Sequence, residues 1–355
     1  MTATNVRPIS HEQHRLRLTH AQDGAPDAWE RLAPSIAALK KLVHAADREA
    51  LKKGAISTAT AAQVEASFAD FETLLNVVLA DSAQDAEESA QVGARVQCEL
   101  LPYLLLSANA ERWYSKPRGY AGDFLSIARM YDDAPAGAGR IGPLLDRCFL
   151  NLAAARAVRN RRPLLAREIE ATIAACAGRA ARVTSLACGP AAELFDVYEG
   201  LPDPGALHAT LVDMDLHALA YVADRRDAGR LRASMSLVNE NLVYLATGRR
   251  RITLEEQDLV YSVGLIDYFD DAFVIKLMNF AHAVLRPGGR AVLGNFHPQN
   301  PTRALLDHVL DWKLIHRTEE DMNRLFRASA FGRASTRVVF EEQEINLFAE
   351  CVRSD

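Results

Sequence analysis

The chain has 355 residues, enough for about two domains, and its 49% hydrophobic residues with a mean hydropathy of -0.08 predict a soluble globular protein. A net charge of -5 and a pI of about 6.1 provide no basic field for nucleic acid, and the short basic runs RNRRP (159–163) and GRRR (248–251) read as solvated faces or helix ends. Five scattered cysteines without C-x-x-C spacing argue against a disulfide framework and a zinc site; together with the lack of a signal-peptide core or an apolar run of ~20 residues, they predict a reducing cytoplasmic location and no membrane span.

From about residue 27 to about residue 178, apolar residues recur at helical spacing, as in WERLAPSIAALKKLVHAA and QVEASFADFETLLNVVLA. This half, residues 1–178, is read as a helical N-terminal domain. Within it, CELLPYLLLSA (98–108) is either helix core or the lining of an apolar tunnel. WYSKPRGYAGDF (113–124) is a loop dense in aromatic, cationic and glycine residues. It is a candidate lid over a ligand: Lys116 and Arg118 supply charge, Tyr114 and Tyr120 supply stacking or a hydroxyl, and Gly119 and Gly122 supply bends. The alternative is a plain helix connection whose aromatics dock on the core.

From Arg182 onward short strands alternate with helical stretches: VTSLAC, LHATLVDMD, ASMSLVN, QDLVYSV and GRAVLGNF. Apolar strands separated by helices imply a parallel sheet covered on both faces. ASTRVVFEE and EINLFAECVR follow without a helix between them and predict an antiparallel hairpin at one edge. Residues 179–355 are therefore read as a doubly wound α/β domain.

Ligands of such sheets sit beyond the carboxyl ends of the strands. After the first strand, SLACGPAAELFDVY (185–198) makes a turn with a single glycine. A dinucleotide turn needs further glycines for close approach to pyrophosphate, so Gly189, with Pro190 suited to a first helical turn, predicts a ligand without phosphates. The second strand ends in Asp213, Met214 and Asp215, the third runs into Asn241 and Leu242, and the fourth carries Ser262 in YSVGLIDYF. An acceptor-only carboxylate at the second strand end can take two ribose hydroxyls. Asp213 and Asp215 could equally be turn carboxylates, and Asn241 a helix cap. After the fifth strand, GNFHPQNPTR brings Asn295 and His297 toward the same crevice as candidate substrate contacts.

This series resembles the class I S-adenosylmethionine-dependent methyltransferases over roughly Arg182 to Arg353. LRPGGRAVLGNF looks like that family's turn before the fifth strand. The resemblance implies a Rossmann-like sheet in the order 3-2-1-4-5-7-6, S-adenosyl-L-methionine as cofactor, and a small-molecule methyl acceptor. It further implies that Asp213 binds the ribose, Asn241 and Leu242 flank the adenine, and Ala187, Gly189 and Pro190 lie against the methionine part. The family's usual acid is replaced here by Ser185; Glu193 is the candidate substitute, or simply a first-turn acid facing the helix dipole. Cys188 reads as packing rather than a nucleophile.

KPRGYAGDF and GNFHPQNPTR, with LDWKLIHRTEEDMNRL (310–325), are similar to the bacterial 3-hydroxypalmitic acid methyl ester biosynthesis proteins. That resemblance implies carboxyl methylation of a 3-hydroxy fatty acid in quorum sensing or secondary metabolism. A carboxylate acceptor needs orientation, by Arg118, Tyr120 or His297, but no general base. Methylation of a nitrogen or hydroxyl would need one, with His297 the candidate. A non-catalytic cofactor-sensing module is the remaining alternative. No metal ligand set is seen, and the helical half is a candidate lid, homodimer interface or both.

Overall fold

The computed structural model describes residues 27–81 and 85–354. Helix α1 (Ala28–Lys53) starts where the Asp27 side chain accepts the Trp29 amide, and stops at Gly54, whose positive φ of 78° lets its own amide cap the Ala50 carbonyl. Between these caps Leu32, Ile36, Leu39, Val43, Ala46 and Ala50 form the buried stripe. It packs along α2 (Thr58–Asp81), and α3 (Ala86–Leu104) also packs against α1. Short helices α4 (Ala108–Ser115), α5 (Phe124–Asp132) and α6 (Gly142–Leu150) follow, then the long α7 (Ala153–Ala175).

The second half is a seven-stranded sheet ordered β3-β2-β1-β4-β5-β7-β6, as expected. Strands β1 (Ala181–Leu186), β2 (Leu207–Asp213), β3 (Met235–Asn239), β4 (Gln257–Val263) and β5 (Leu285–Phe296) pair in parallel. The closing hairpin, β6 (Arg337–Phe340) and β7 (Asn346–Val352), adds antiparallel to β5. β4 is buried at six successive residues, Gln257 to Ser262, as a central strand covered on both faces must be. Helices α8 (Ala192–Gly200), α9 (Leu216–Ala228), α10 (Leu242–Ala246), α11 (Asp271–Val284) and α12 (Glu319–Ala328) follow β1, β2, β3, β4 and β5 respectively.

The segment after β5 joins the two halves. A π-helical turn, Leu305–Val309, and then Trp312 and Leu314 enter the same apolar cluster as Leu75, Val96, Leu104 and Trp113 of the helical half. Trp113 packs edge-on against Phe149 and Trp312, with ring centroids 5.8 and 5.5 Å away. The Gln97 amide donates to the Val309 carbonyl at 3.0 Å, and Asn76 accepts the Ala304 amide at 3.1 Å. Of CELLPYLLLSA, Leu100 and Leu104 are fully buried in this cluster; helix core, not a tunnel, is their role.

One carboxyl in this region works against stability. Burial pushes the Glu72 pKa up to about 7, outweighing Thr302 and Arg156, and its Oε1 atom has no partner. The folded state thus holds this proton more tightly than the unfolded chain, so this group's contribution to stability is greatest below about pH 4.5 and is lost as pH rises toward 7. Glu72→Gln is expected to raise stability at pH 8 by about 2 kcal/mol and to flatten the profile between pH 5 and 7. Urea denaturation at pH 5 and pH 8 checks both.

Candidate active site

A crevice of about 320 Å³ opens at the carboxyl ends of β1, β2 and β4, within the size range of small-molecule sites. The turn after β1 forms its floor. Ala187, Gly189 and Ala191 all adopt left-handed backbone, with φ of 55°, 53° and 50°. Two of these three positions thus carry a Cβ where glycine is cheapest, at roughly 1–2 kcal/mol each. The alternation throws the intervening amides toward the end of β2: the Cys188 amide donates to the Val212 carbonyl at 3.2 Å, and the Gly189 amide to Asp213 Oδ2 at 3.0 Å. Pro190 lies ahead of the Ala191 cap rather than inside the first helical turn. Burial pushes the Cys188 thiol well above its usual range, which suits packing and not nucleophilic attack.

The structure separates the two acids at the end of β2. Asp213 lines the crevice and is 7% exposed; Oδ2 also takes a weak hydrogen bond from the Cys188 thiol at 3.9 Å, while Oδ1 accepts the Asp215 amide at 2.9 Å and retains a lone pair for a ligand. Burial pushes its pKa upward, against the pull of the Asp215 and Gly189 amides. Asp215 instead caps α9 through the His217 amide and forms a two-pronged pair with Arg118. Met214, Asn241 and Leu242 also wall the crevice, and Asn241 caps α10 as well, accepting the Val243 amide at 2.8 Å. Across the floor Ser185 and Glu193 face the same space. The Tyr261 hydroxyl donates to Glu193 Oε1 at 2.7 Å, and burial raises the pKa of this carboxyl.

The expected lid loop is shorter than its sequence reading, because Trp113 to Ser115 complete helix α4 and Asp123 already caps α5. Tyr120 and Gly122 line the crevice; Tyr114, Lys116 and Arg118 do not. Tyr114 packs on the helical core, and Lys116 donates to the Asp311 carboxylate and carbonyl, each at 2.7 Å. Arg118 therefore fastens the loop to the end of β2 instead of facing a substrate. Burial acts to raise the Asp215 pKa, but Arg118 and the His217 amide prevail and hold it below the usual carboxylate range, so the latch is charged at neutral pH. Arg118→Ala is expected to speed release of a nucleoside ligand by about threefold to tenfold, as loss of one partly exposed ion pair would, while the thermal midpoint stays nearly unchanged. Stopped-flow dissociation of that nucleoside measures it.

Three further expected contacts are redirected. Asn295 is fully buried, with Nδ2 on the Phe296 and Ile315 carbonyls and Oδ1 on Arg317. His297 pairs with Glu319 at 3.2 Å and packs against Phe340. It follows Phe296, which faces the helical half, and strand alternation turns His297 away from the crevice. The Ser262 hydroxyl donates to the Leu186 carbonyl at 2.9 Å between strands. None of the three lines the crevice.

Behind the crevice lies a smaller apolar chamber of about 30 Å³ under Trp113, Phe296 and Trp312. Gly122, Ile127, Arg161, Gly264 and Tyr268 border both spaces and form the passage between them. Arg161 belongs to the RNRRP run that the sequence places on solvated surface, yet it is 4% exposed. The missed signal is its phase: Ala154, Ala157, Val158, Leu164 and Leu165 are buried around it on α7, which puts residue 161 on the apolar stripe.

The lining holds two carboxyl groups, Asp213 and Glu193, and one cation, Arg161, between apolar flanks and beside a turn that permits close backbone approach. Such walls suit a cationic nucleoside with hydroxyls and offer little to a diphosphate. A family model described as "Putative methyltransferase" matches residues 121–342. The chain belongs to this methyltransferase family. The enzyme class and the cofactor implied by the sequence, S-adenosyl-L-methionine, accord with that membership. No curated protein matches the chain. Among solved structures, a possible exported protein from Bordetella parapertussis superposes with a TM-score of 0.53 at 18% identity, covering 98% of this chain and 100% of that one; this likeness supports the fold. The magnesium protoporphyrin IX methyltransferase ChlM from Synechocystis PCC 6803 aligns at 12% identity over 69% of this chain and 100% of its own, with a TM-score of 0.47. The pyocyanin biosynthetic protein PhzM aligns at 14% over 97% and 99%, with a TM-score of 0.43. Among the described residues no helix of this methyltransferase is long and apolar enough to cross a membrane.

Proposed function

We propose that this methyltransferase moves a methyl group from S-adenosylmethionine to the carboxylate of a small acid. The observation that carries the reading is the crevice itself, with its two carboxyl groups, its apolar flanks and its passage into an apolar chamber. In this reading Asp213 accepts the ribose hydroxyls, Met214, Asn241 and Leu242 flank the adenine, and the turn from Ala187 to Pro190 with Glu193 holds the amino-acid end. The bound cofactor supplies an electrophilic methyl: a carboxylate oxygen forms the new C–O bond as the S–C bond breaks, the electron pair passes to sulfur, and no proton moves.

The protein's task is then to align two reactants and exclude water. Tyr120 and Gly122 close the crevice from the helical side, and the Arg118 latch keeps them there. No histidine lines the crevice or the chamber among the described residues, which favours an acceptor that is already an anion over an amine or phenol. One observation supports a second reading. Burial raises the Asp267 carboxyl, in the chamber wall, to about 6, so it could serve as base for a hydroxyl acceptor.

The experiment is a mass-spectrometric screen of methyl transfer from isotopically labelled S-adenosylmethionine to aromatic acids, short-chain acids, 3-hydroxy fatty acids, phenols and amines. A base-labile label on an acid is the expected result. A base-stable label on a phenol or amine would overturn the carboxyl reading and leave the enzyme class standing; a labelled 3-hydroxy fatty acid would support the narrower resemblance of KPRGYAGDF and GNFHPQNPTR.

A further inference from the structure

Arg161 is 96% buried by its 4% exposure, yet no carboxylate lies within 4 Å of its guanidinium among the described residues. Among the described residues its single hydrogen bond runs from Nε to the Tyr131 hydroxyl at a long 3.4 Å. The other buried arginine among the described residues is served better: Arg317, 2% exposed, pairs with Asp271 and donates to the carbonyls of Ile266 and Phe269 and to Asn295. Glu193 and Asp267 are the carboxyl groups nearest in charge to Arg161. Both are themselves pushed toward the neutral form by burial, and neither forms an ion pair with it. Burial works against the charge of Arg161, but Tyr131, Glu193 and Asp267 together outweigh that and hold its pKa above the usual value, and its terminal nitrogens keep no hydrogen-bond partner among the described residues. Nη1 lies 3.0 Å from the Cβ position that Gly264 leaves empty, at the passage between crevice and chamber.

We propose that Arg161 receives the carboxylate of the methyl acceptor, whose compact apolar body occupies the chamber under Trp113, Phe296 and Trp312. The proposal rests on the methyltransferase reading above and adds the class of acceptor and the residue that selects it. A guanidinium can hold one carboxylate oxygen by charge-assisted hydrogen bonds and leave the other free. Once the acid becomes a neutral ester that attraction is lost, which favours product release. The chamber, about 30 Å³ as it stands, holds only a few heavy atoms, since roughly 10–15 Å³ accommodates a water. It therefore selects small or short-chain acids over a long acyl tail.

The test uses binding, not turnover. S-adenosylhomocysteine and 5′-methylthioadenosine, which lacks the amino-acid carboxylate, are titrated calorimetrically into the wild-type protein, Arg161→Gln and Arg161→Lys. Acetate, propionate and butyrate, each against its amide, are then titrated into the S-adenosylhomocysteine complexes. We expect at least one acid to bind the wild-type complex about tenfold or more tighter than its amide. Arg161→Gln should erase that preference while changing S-adenosylhomocysteine affinity less than about threefold, and Arg161→Lys should restore part of it. Loss of S-adenosylhomocysteine affinity with methylthioadenosine affinity kept would assign Arg161 to the cofactor's carboxylate and overturn the proposal. So would equal binding of acids and amides. If S-adenosylhomocysteine fails to bind the wild-type protein at all, the cofactor reading itself falls; every other negative outcome sinks the acceptor site alone.

Discussion

Asp213→Ala is expected to weaken S-adenosylhomocysteine binding by at least about tenfold, the loss that follows when a charge-assisted hydrogen bond worth about 1.5–3 kcal/mol is removed. The size of the effect has two sources. The carboxylate would lose its own bonds to the ribose hydroxyls, and the amides of Gly189 and Asp215, which donate to it at 3.0 and 2.9 Å, would lose the acceptor that draws the floor turn against the end of β2. Asp215→Ala provides the contrast. That change removes the Arg118 latch and the cap of α9 but leaves the crevice wall in place, so equilibrium affinity should fall much less. If both variants bind equally well, the ribose assignment fails. Because burial raises the Asp213 pKa, wild-type affinity should decline on acidification before that of a carboxylate with an ordinary pKa would, and Asp213→Asn should lose that dependence. Calorimetric titration from pH 7 down to pH 5 measures the slope.

Gly122→Ala is expected to lower kcat/KM by about tenfold to a hundredfold with nucleoside affinity nearly intact. A Cβ at residue 122 would sit 2.5 Å from the Tyr268 hydroxyl and 3.1 Å from the Trp312 ring. Neither can yield easily, since the Trp312 indole donates to that hydroxyl at 2.8 Å and Trp312 is itself clamped against Trp113. Trp312 lines only the chamber, whereas Gly122 and Tyr268 border both spaces; with the acceptor body in the chamber as proposed, the acceptor meets more of the obstruction than the cofactor, and misplacing a reactant by about 1 Å can cost about a hundredfold. Steady-state kinetics on whichever acceptor the screen identifies, beside a cofactor titration, separates the two. An equal loss in both would show that Gly122 shapes the whole crevice.

Much of the site was legible because parallel strands announce themselves. The apolar runs VTSLAC, LHATLVD and QDLVYSV could only be buried strands, and their carboxyl ends had to converge on one crevice. Ala187, Gly189, Pro190, Glu193, Asp213, Met214, Asn241 and Leu242 all line it. Residues beyond the strand ends were less legible. Asn295 and His297 sit one strand further out, where a side chain's direction depends on pleat phase and on what the following segment packs against; here Arg317 and Glu319 claim them. Within the aromatic loop, Tyr120 and Gly122 reach the crevice whereas Lys116 and Arg118 find acidic partners at Asp311 and Asp215. Those pairings join residues 195 and 97 positions apart, a distance no local pattern spans.

The sequence by itself determined the helical first half, the doubly wound sheet with its antiparallel closing hairpin, and the acid and glycine at the first two strand ends. Periodicity and strand-end position are local properties, and local properties survive translation into structure. Only the tertiary structure decided which of two neighbouring aspartates faces the ligand, which cations are spent on latches, and that Arg161 is buried without a counter-ion at the passage to an apolar chamber. Charge pairing and desolvation depend on which distant segments meet, and here they meet because the segment after β5 packs into the helical core.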